Sequence, residues 1–327
     1  VQVGSLTSWT AVVAGGYQNF ALKSDGTLWG WGQNNLGQLG LGDAVKRSSP
    51  VQVGSLTTWT TLSKSVSHGF FIALKSDGTL WAWGSNAQGQ LGLGDVVLRS
   101  SPVQVGALTT WTLAAQGGNH SFGIKSDGAL WSWGQNNLGQ LGLGNTAYTS
   151  SPVQVGSLTT WTMISGYRHA LALKSDGTLW AWGDNAQGQL GLGDVVLRSS
   201  PVQVGALTTW VSIGAGKYHA LALKSDGTLW TWGRNQYGQL GVGDAISRSS
   251  PVQVGSLTTW TSIERGGYHS FALKSDGTLW TWGRNQYGQL GVGDAISRSS
   301  PVQVGSLTTW TKVSGGSRFG YHSIGLN

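Results

Sequence analysis

The chain has no cysteine, one methionine, six prolines and only 10% charged residues among its 327. Without cysteine there are no disulfides, thiol nucleophiles or cysteine-ligated metals. One glutamate, Glu264, and twelve aspartates leave little material for paired acid–base carboxylates. No apolar run is long enough to span a bilayer. No 3.6-residue periodicity survives between the glycines, which excludes an α-solenoid. Low charge can accompany disorder, but 39% hydrophobic and 10% aromatic residues describe a packed protein. What abounds is glycine, with 53 residues, and tryptophan, with 19.

The abundance is periodic. Ser-Asp-Gly turns place aspartates at Asp25, Asp77, Asp127, Asp176, Asp226 and Asp276, spaced 52, 50, 49, 50 and 50 residues apart. A Leu-Thr-x-Trp marker places Trp9, Trp59, Trp111, Trp161, Trp210, Trp260 and Trp310. Residues 222–261 and 272–311 are identical, the mark of recent duplication or homogenisation. Each unit reads as four short strands: a from Trp210, b from His219 to Lys224, c from Thr228 to Gly233, and d opened by Pro251. Asp-Gly between two alternating apolar runs is a hairpin signal, so b and c pair. In strand c, Trp29 and Trp31 flank a small residue, repeated as Ala82, Ser132, Ala181, Thr231 and Thr281. A sheet bulky on one face and small on the other packs against a copy of itself. Four-stranded sheets repeated in this way make a β-propeller.

Strands a, b and d can be counted seven times and c six. The chain opens on a d-like Val1-Gln2-Val3 and finishes on a b-like segment through Asn327. The expectation is an all-β, seven-bladed propeller of four-stranded antiparallel blades, one domain over 1–327. Its N- and C-terminal strands would share the closing blade, with a c strand and its loop, some 25 residues, missing upstream of Val1. A three-stranded seventh blade, or a six-bladed ring with a spare segment, is the rival arrangement.

The stretch Gly267-Tyr-His-Ser-Phe-Ala-Leu-Lys-Ser-Asp-Gly-Thr-Leu-Trp-Thr-Trp-Gly-Arg-Asn-Gln-Tyr-Gly-Gln-Leu-Gly-Val-Gly resembles the regulator of chromosome condensation repeat. The similarity runs over essentially the whole chain and implies seven blades of about 50 residues. Near-identical copies are similar to those of bacterial and viral members of that family. Plant UV-B photoreceptors share the fold and carry a Gly-Trp-Arg-His-Thr sensing motif. The matching position here is Gly166-Tyr167-Arg168-His169, with tyrosine in place of the sensing tryptophan, which disfavours photoreception. All nineteen tryptophans fall in Leu-Thr-x-Trp or Trp-x-Trp-Gly and read as blade-packing residues.

Strand order puts the b–c and d–a turns on one face and the a–b and c–d loops on the other. The second face holds most of the variation between repeats, where a repeat protein can encode recognition. Turn lysines are offset by turn aspartates, and Arg47, Arg99, Arg198, Arg248 and Arg298 by loop aspartates. Nine other cations against Asp184 and Glu264 leave the formal charge of +7. Arginine and tyrosine together have the composition of an interaction hot spot. The candidate contact residues are Tyr17, Tyr167, Arg168, Lys217, Tyr218, Arg234, Tyr237, Arg265, Tyr268, Arg284, Tyr287, Arg318 and Tyr321. A mildly basic surface with tyrosines packed on neighbouring loops is the plainer reading of the same residues. His68, His120, His169, His219, His269 and His322 recur once per blade, with Asn19 in their place in the first repeat. That spreads them around a ring without metal-ligand spacing, so they read as structural and no metal is expected. The Gly-Gln-Leu-Gly-Leu-Gly loops lack a P-loop lysine and serine and read as turns.

No catalytic residue and no cofactor is expected, and the chain reads as not an enzyme. The expected function is a non-catalytic binding or structural module offering its a–b and c–d loops to a protein or glycan partner. An extracellular, cell-surface or virion setting is favoured over a nuclear one. The alternative is polyanion or chromatin binding, or nucleotide exchange on a small GTPase, as the resemblance implies for the founding family member. A pI of 9.7 permits polyanion binding, but +7 spread over a disc is a modest field.

Overall fold

A computed structural model describes residues 8–63, 69–315 and 323–326. It contains six four-stranded antiparallel sheets spanning residues 9–52, 59–104, 111–154, 161–203, 210–253 and 260–303, here blades one to six. A two-stranded sheet of Lys312–Gly315 and Ser323–Leu326 follows. The expectation of seven four-stranded blades is therefore corrected to six. Beside them the third and fourth strands of a seventh are not formed among the described residues, and Val1–Val3 lie outside them. The two-stranded sheet packs between blades six and one, where Ala14 N donates to Ser314 Oγ at 3.1 Å and Lys312 Nζ to Thr10 O at 2.8 Å.

Within each blade the order is a-b-c-d. In blade four the strands are Trp161–Gly166, His169–Lys174, Leu179–Gly183 and Arg198–Gln203. Strands a of successive blades touch one another, so they line the axis and strands d form the rim. Strand d begins earlier than its proline: in blade five it is Arg248–Gln253, with Pro251 fourth. The c–d register shifts between Thr231 and Gly233, and d is an outer edge, so the missing N–H of Pro251 leaves no ladder bond unmade.

The blade faces interlock differently from the simple bulky-and-small expectation. Leu171 of strand b pairs with Ala181 of strand c, whereas Ala170 pairs with Trp182. Each face thus carries one bulky and one small strand. Leu171, Leu173 and Ala181 of blade four pack against Ala220, Ala222 and Trp232 of blade five. Large residues of one blade fill the space over small residues of the next. A directional bond sets the register: Trp232 Nε1 donates to Gln189 O at 2.9 Å, and Trp83, Trp133, Trp182 and Trp282 make the same bond to the preceding blade. These five are fully buried, whereas Trp31 of blade one is half-buried.

The b–c turns are built as their sequence implies. Asp176 Oδ1 accepts from Thr178 N and Oγ1, and Thr178 Oγ1 accepts from Trp180 Nε1. Gly177 has φ +76°, and a Cβ there would lie 2.1 Å from Thr208 O of the adjoining d–a turn. Only glycine fits that approach. The turn lysines do not pair with the aspartates. Lys174 Nζ instead lies 3.6 Å from the Trp180 ring centroid, and the other five turn lysines sit likewise over their strand-c tryptophans.

Candidate functional site

The c–d loops are rigid frames. In blade four Asn185, buried, donates from Nδ2 to Asp194 O, Asp194 Oδ1 and Val196 O, and accepts from Leu190 N. Arg198 closes the loop on Asp194 at 2.6 Å. The expected arginine–aspartate pairs form in the other four loops as well. Gly193 N also donates to Ser249 O of the next blade at 2.8 Å. Loops anchored this way hold their variable side chains in place.

On that frame, eight of the thirteen candidate residues converge across blades four to six. Lys217 Nζ donates to Tyr268 OH at 2.7 Å and stands 5.1 and 4.8 Å from the ring centroids of Tyr218 and Tyr268. The guanidinium of Arg234 lies 5.4 Å from the Tyr218 ring and that of Arg168 lies 6.0 Å from it. Arg284 sits among three rings, Tyr237, Tyr268 and Tyr287, at 5.1, 5.4 and 5.6 Å. The rings touch each other too, Tyr237 meeting Tyr268 edge-on at 5.6 Å. One carboxylate takes part: Asp184 holds Arg168 at 3.2 Å. Four cations and four aromatic rings against one acid make a positive surface with flat apolar plates. Its chemistry suits carboxylates, aromatic rings and amide planes of a partner.

The remaining candidates separate. Tyr17 is exposed and lines a cleft with Lys46 and Arg47 in blade one. Tyr167 is buried, and its carbonyl accepts from Gly118 N of blade three at 3.0 Å. Arg265 is only 4% exposed and does not lie on the face at all. Strand a of blade six runs Trp260–Arg265, so Arg265 belongs to the strand and is buried instead of standing in the a–b loop. Arg318 and Tyr321 fall outside the described residues. Asp184, which steers Arg168, was absent from the candidates. Its signal was the lack of a matching loop arginine.

The histidines need a correction of register. His120, His169, His219 and His269 start strand b and are fully buried. The residues opposite the equivalent strand-c glycines in blades one and two are Gln18 and Phe70, so Asn19 does not take the histidine's place. His68 and His322 lie outside the described residues. Burial pushes the pKa of His120, His169 and His219 down to about 3, so these rings are neutral at pH 7. Among the described residues no group of three or more His, Cys, Asp or Glu is placed to hold a metal. No helix there is long and apolar enough to cross a membrane.

The sequence profile described as "Regulator of chromosome condensation (RCC1) repeat" matches residues 25–72, 77–124, 127–173, 176–223, 226–273 and 276–321. Among curated proteins, the chain is 36% identical over 103 residues to the ultraviolet-B receptor UVR8 of Arabidopsis thaliana, covering 31% of this chain and 23% of that protein. It is 35% identical over 74 residues to Protein RCC2 of Homo sapiens, covering 23% and 14%. The matched stretches thus span less than a quarter of these relatives. Among solved structures, human WBSCR16 superposes with a TM-score of 0.87 at 23% identity, over 97% of this chain and 86% of that one. Prp20p of Saccharomyces cerevisiae superposes at 0.84 and 24% identity, over 94% and 80%.

Proposed function

Because the chain belongs to the regulator of chromosome condensation (RCC1) repeat family, we propose that it is a non-catalytic module binding a protein through the a–b and c–d loops of blades four to six. The observation that carries this reading is the web of Arg168, Lys217, Arg234 and Arg284 among Tyr218, Tyr237, Tyr268 and Tyr287. Rings and guanidinium groups already held by one another lose little side-chain freedom when a partner docks. The same fold serves protein contacts elsewhere: the yeast Prp20p structure is described with binding to Gsp1p and histones, and another has Kap60 bound to yeast RCC1.

The partner is expected to be protein, bearing carboxylates that meet the cations and apolar or aromatic groups that meet the rings. A glycan stacking on the tyrosines, and a polyanion held by the cations, are the competing ligand classes. A cell-surface or virion setting accords with near-identical repeats but adds nothing to the chemistry. The test places a photo-crosslinking residue at Tyr287 or, as control, at Thr208 on the opposite face, in the source material. The reading predicts a discrete protein adduct at Tyr287 alone, formed in high salt as well as low. Adducts only at Thr208, or only with nucleic acid and lost in salt, would overturn it.

A further inference from the structure

A second feature of the c–d loops takes no part in the cation–tyrosine web. In blades two and four the loop tip reads Asp-Val-Val-Leu-Arg, at residues 95–99 and 194–198, and no other blade repeats it. Val96, Val97 and Leu98, with their copies Val195, Val196 and Leu197, all stand exposed, the first of each trio by 61%. Blade three, between them, puts Tyr148, 47% exposed, at the place of Leu98 and Leu197. Blades five and six turn out one large apolar side chain per tip, Ile246 and Ile296, each between an alanine and a serine. Blades two to four therefore carry an apolar arc. Its charges are spoken for: in these three loops they are two aspartate–arginine pairs at 2.6 Å, and Asp184, which holds Arg168.

The tips are fixed by their own polar groups. Val97 N donates to Asp95 Oδ1 at 3.0 Å, and Arg99 Nη1 donates to Val97 O at 2.7 Å. Asp194 and Arg198 hold Val196 in the same way. Blade three lacks the ion pair yet keeps the turn, with Ala147 N donating to Asn145 Oδ1 and Asn136 Nδ2 to Ala147 O. Apolar side chains displayed on a rigid backbone mark a contact surface, and they lose little freedom when it is covered. The arc is also continuous with the web. In blade four, Asn185 Nδ2 donates to Val196 O at 3.1 Å, and the preceding residue, Asp184, holds Arg168 at 3.2 Å. An apolar tip and a cation of the web thus hang on adjacent residues of one loop.

We propose that the apolar arc of blades two to four is the second half of the docking surface, so that the partner protein carries an aliphatic or aromatic patch beside its acidic one. The inference rests on the loop face being the protein-binding face. Aliphatic side chains offer a phosphate or a sugar neither charge nor hydrogen bond, whereas apolar groups of a protein gain by burial against them.

The probe is the protein that crosslinks at Tyr287. A photo-crosslinking residue at Val97 should give an adduct with that same protein; an adduct with a second copy of this chain alone, or none, overturns the inference. The purified partner is then titrated against wild type and against a chain with Val96, Val97, Leu98, Val195, Val196 and Leu197 all changed to serine. A loss of affinity of about 10-fold or more is expected, the same in low and high salt because no charge is removed. Unchanged affinity, or a loss that disappears in high salt, overturns it. If the partner crosslinks at Tyr287 but ignores the serine changes, the arc falls and the protein-binding reading stands; with no adduct at Tyr287 both fall. All six positions are exposed, so the variant is expected to fold. Should it not, Val96→Ser with Val195→Ser and the Val97 adduct still decide.

Discussion

Lowering the pH from 7.5 to 5.0 should destabilise this protein through three buried imidazoles. His120, His169 and His219 have folded pKa values of about 3, depressed by burial from an unfolded value of 6.5. A folded value below the unfolded one means the unfolded chain takes up protons that the folded chain refuses. Their contribution is complete above pH 6.5 and is lost progressively as pH falls toward 3. At pH 5.0 the folded rings are still neutral, so the loss depends on the unfolded state. It amounts to about 2 kcal/mol for each ring and about 6 kcal/mol for three. Asp25, Asp77, Asp176, Asp226 and Asp276 are held below 3.8 by the hydroxyl and amide of their turn threonines and respond only at lower pH, outside the window of the histidines. Urea unfolding followed by tryptophan fluorescence at the two pH values measures the difference. His169→Gln, which copies Gln18 at the equivalent place in blade one, should remove about a third of it. Equal stability at both pH values, or an unchanged difference in His169→Gln, would refute neutral buried rings.

Other consequences follow from the packing. Trp232→Phe removes the donor to Gln189 O and opens a small void between blades, for a cost of about 2–4 kcal/mol in urea melts; the same change at half-buried Trp31 should cost less. Asn185→Ala strips a buried loop anchor and should cost about 2–3 kcal/mol, whereas Arg198→Gln breaks a solvent-facing ion pair and should cost under about 1 kcal/mol. Reversed order of those two would mean the loop is held by charge. Gly177→Ala forces a Cβ against Thr208 O at positive φ and should lower the melting midpoint by the equivalent of about 2 kcal/mol or more.

Much of this architecture was legible because the repeat is written in turn chemistry. Asp176-Gly177 marks the hairpin, and Trp180-Ala181-Trp182 marks a strand buried on both sides. The blade number was not, because forming a blade takes partners as well as strand-like segments. The segment beginning at Lys312 pairs with one strand, Ser323–Leu326, where the repeat pattern implied a full sheet. Counted back from the turn aspartate, His169 stands seven residues before Asp176 and Gln18 seven before Asp25, whereas Asn19 stands six before it, so the equivalence with Asn19 was one residue out of register. Identical sequence also hid different surroundings. Tyr237 is half-buried against Tyr268 of the next blade, while its exact copy Tyr287, in the last four-stranded blade, is 54% exposed. Arg265 looked like a surface charge because nothing in one repeat tells how far strand a runs before it turns. Offsetting turn lysines against turn aspartates balances the charge without placing it: Thr178 takes the Asp176 carboxylate, and Lys174 lies over the Trp180 ring.

The most direct measurement is the affinity of the crosslinked protein partner for wild type and for a variant with Arg168, Lys217, Arg234 and Arg284 all changed to serine. Circular dichroism and tryptophan fluorescence would verify that the variant's blades remain folded. Binding through the cation–tyrosine face predicts a loss of about 100-fold or more. Unchanged affinity in a folded variant would contradict it and move the contact to another surface of the propeller.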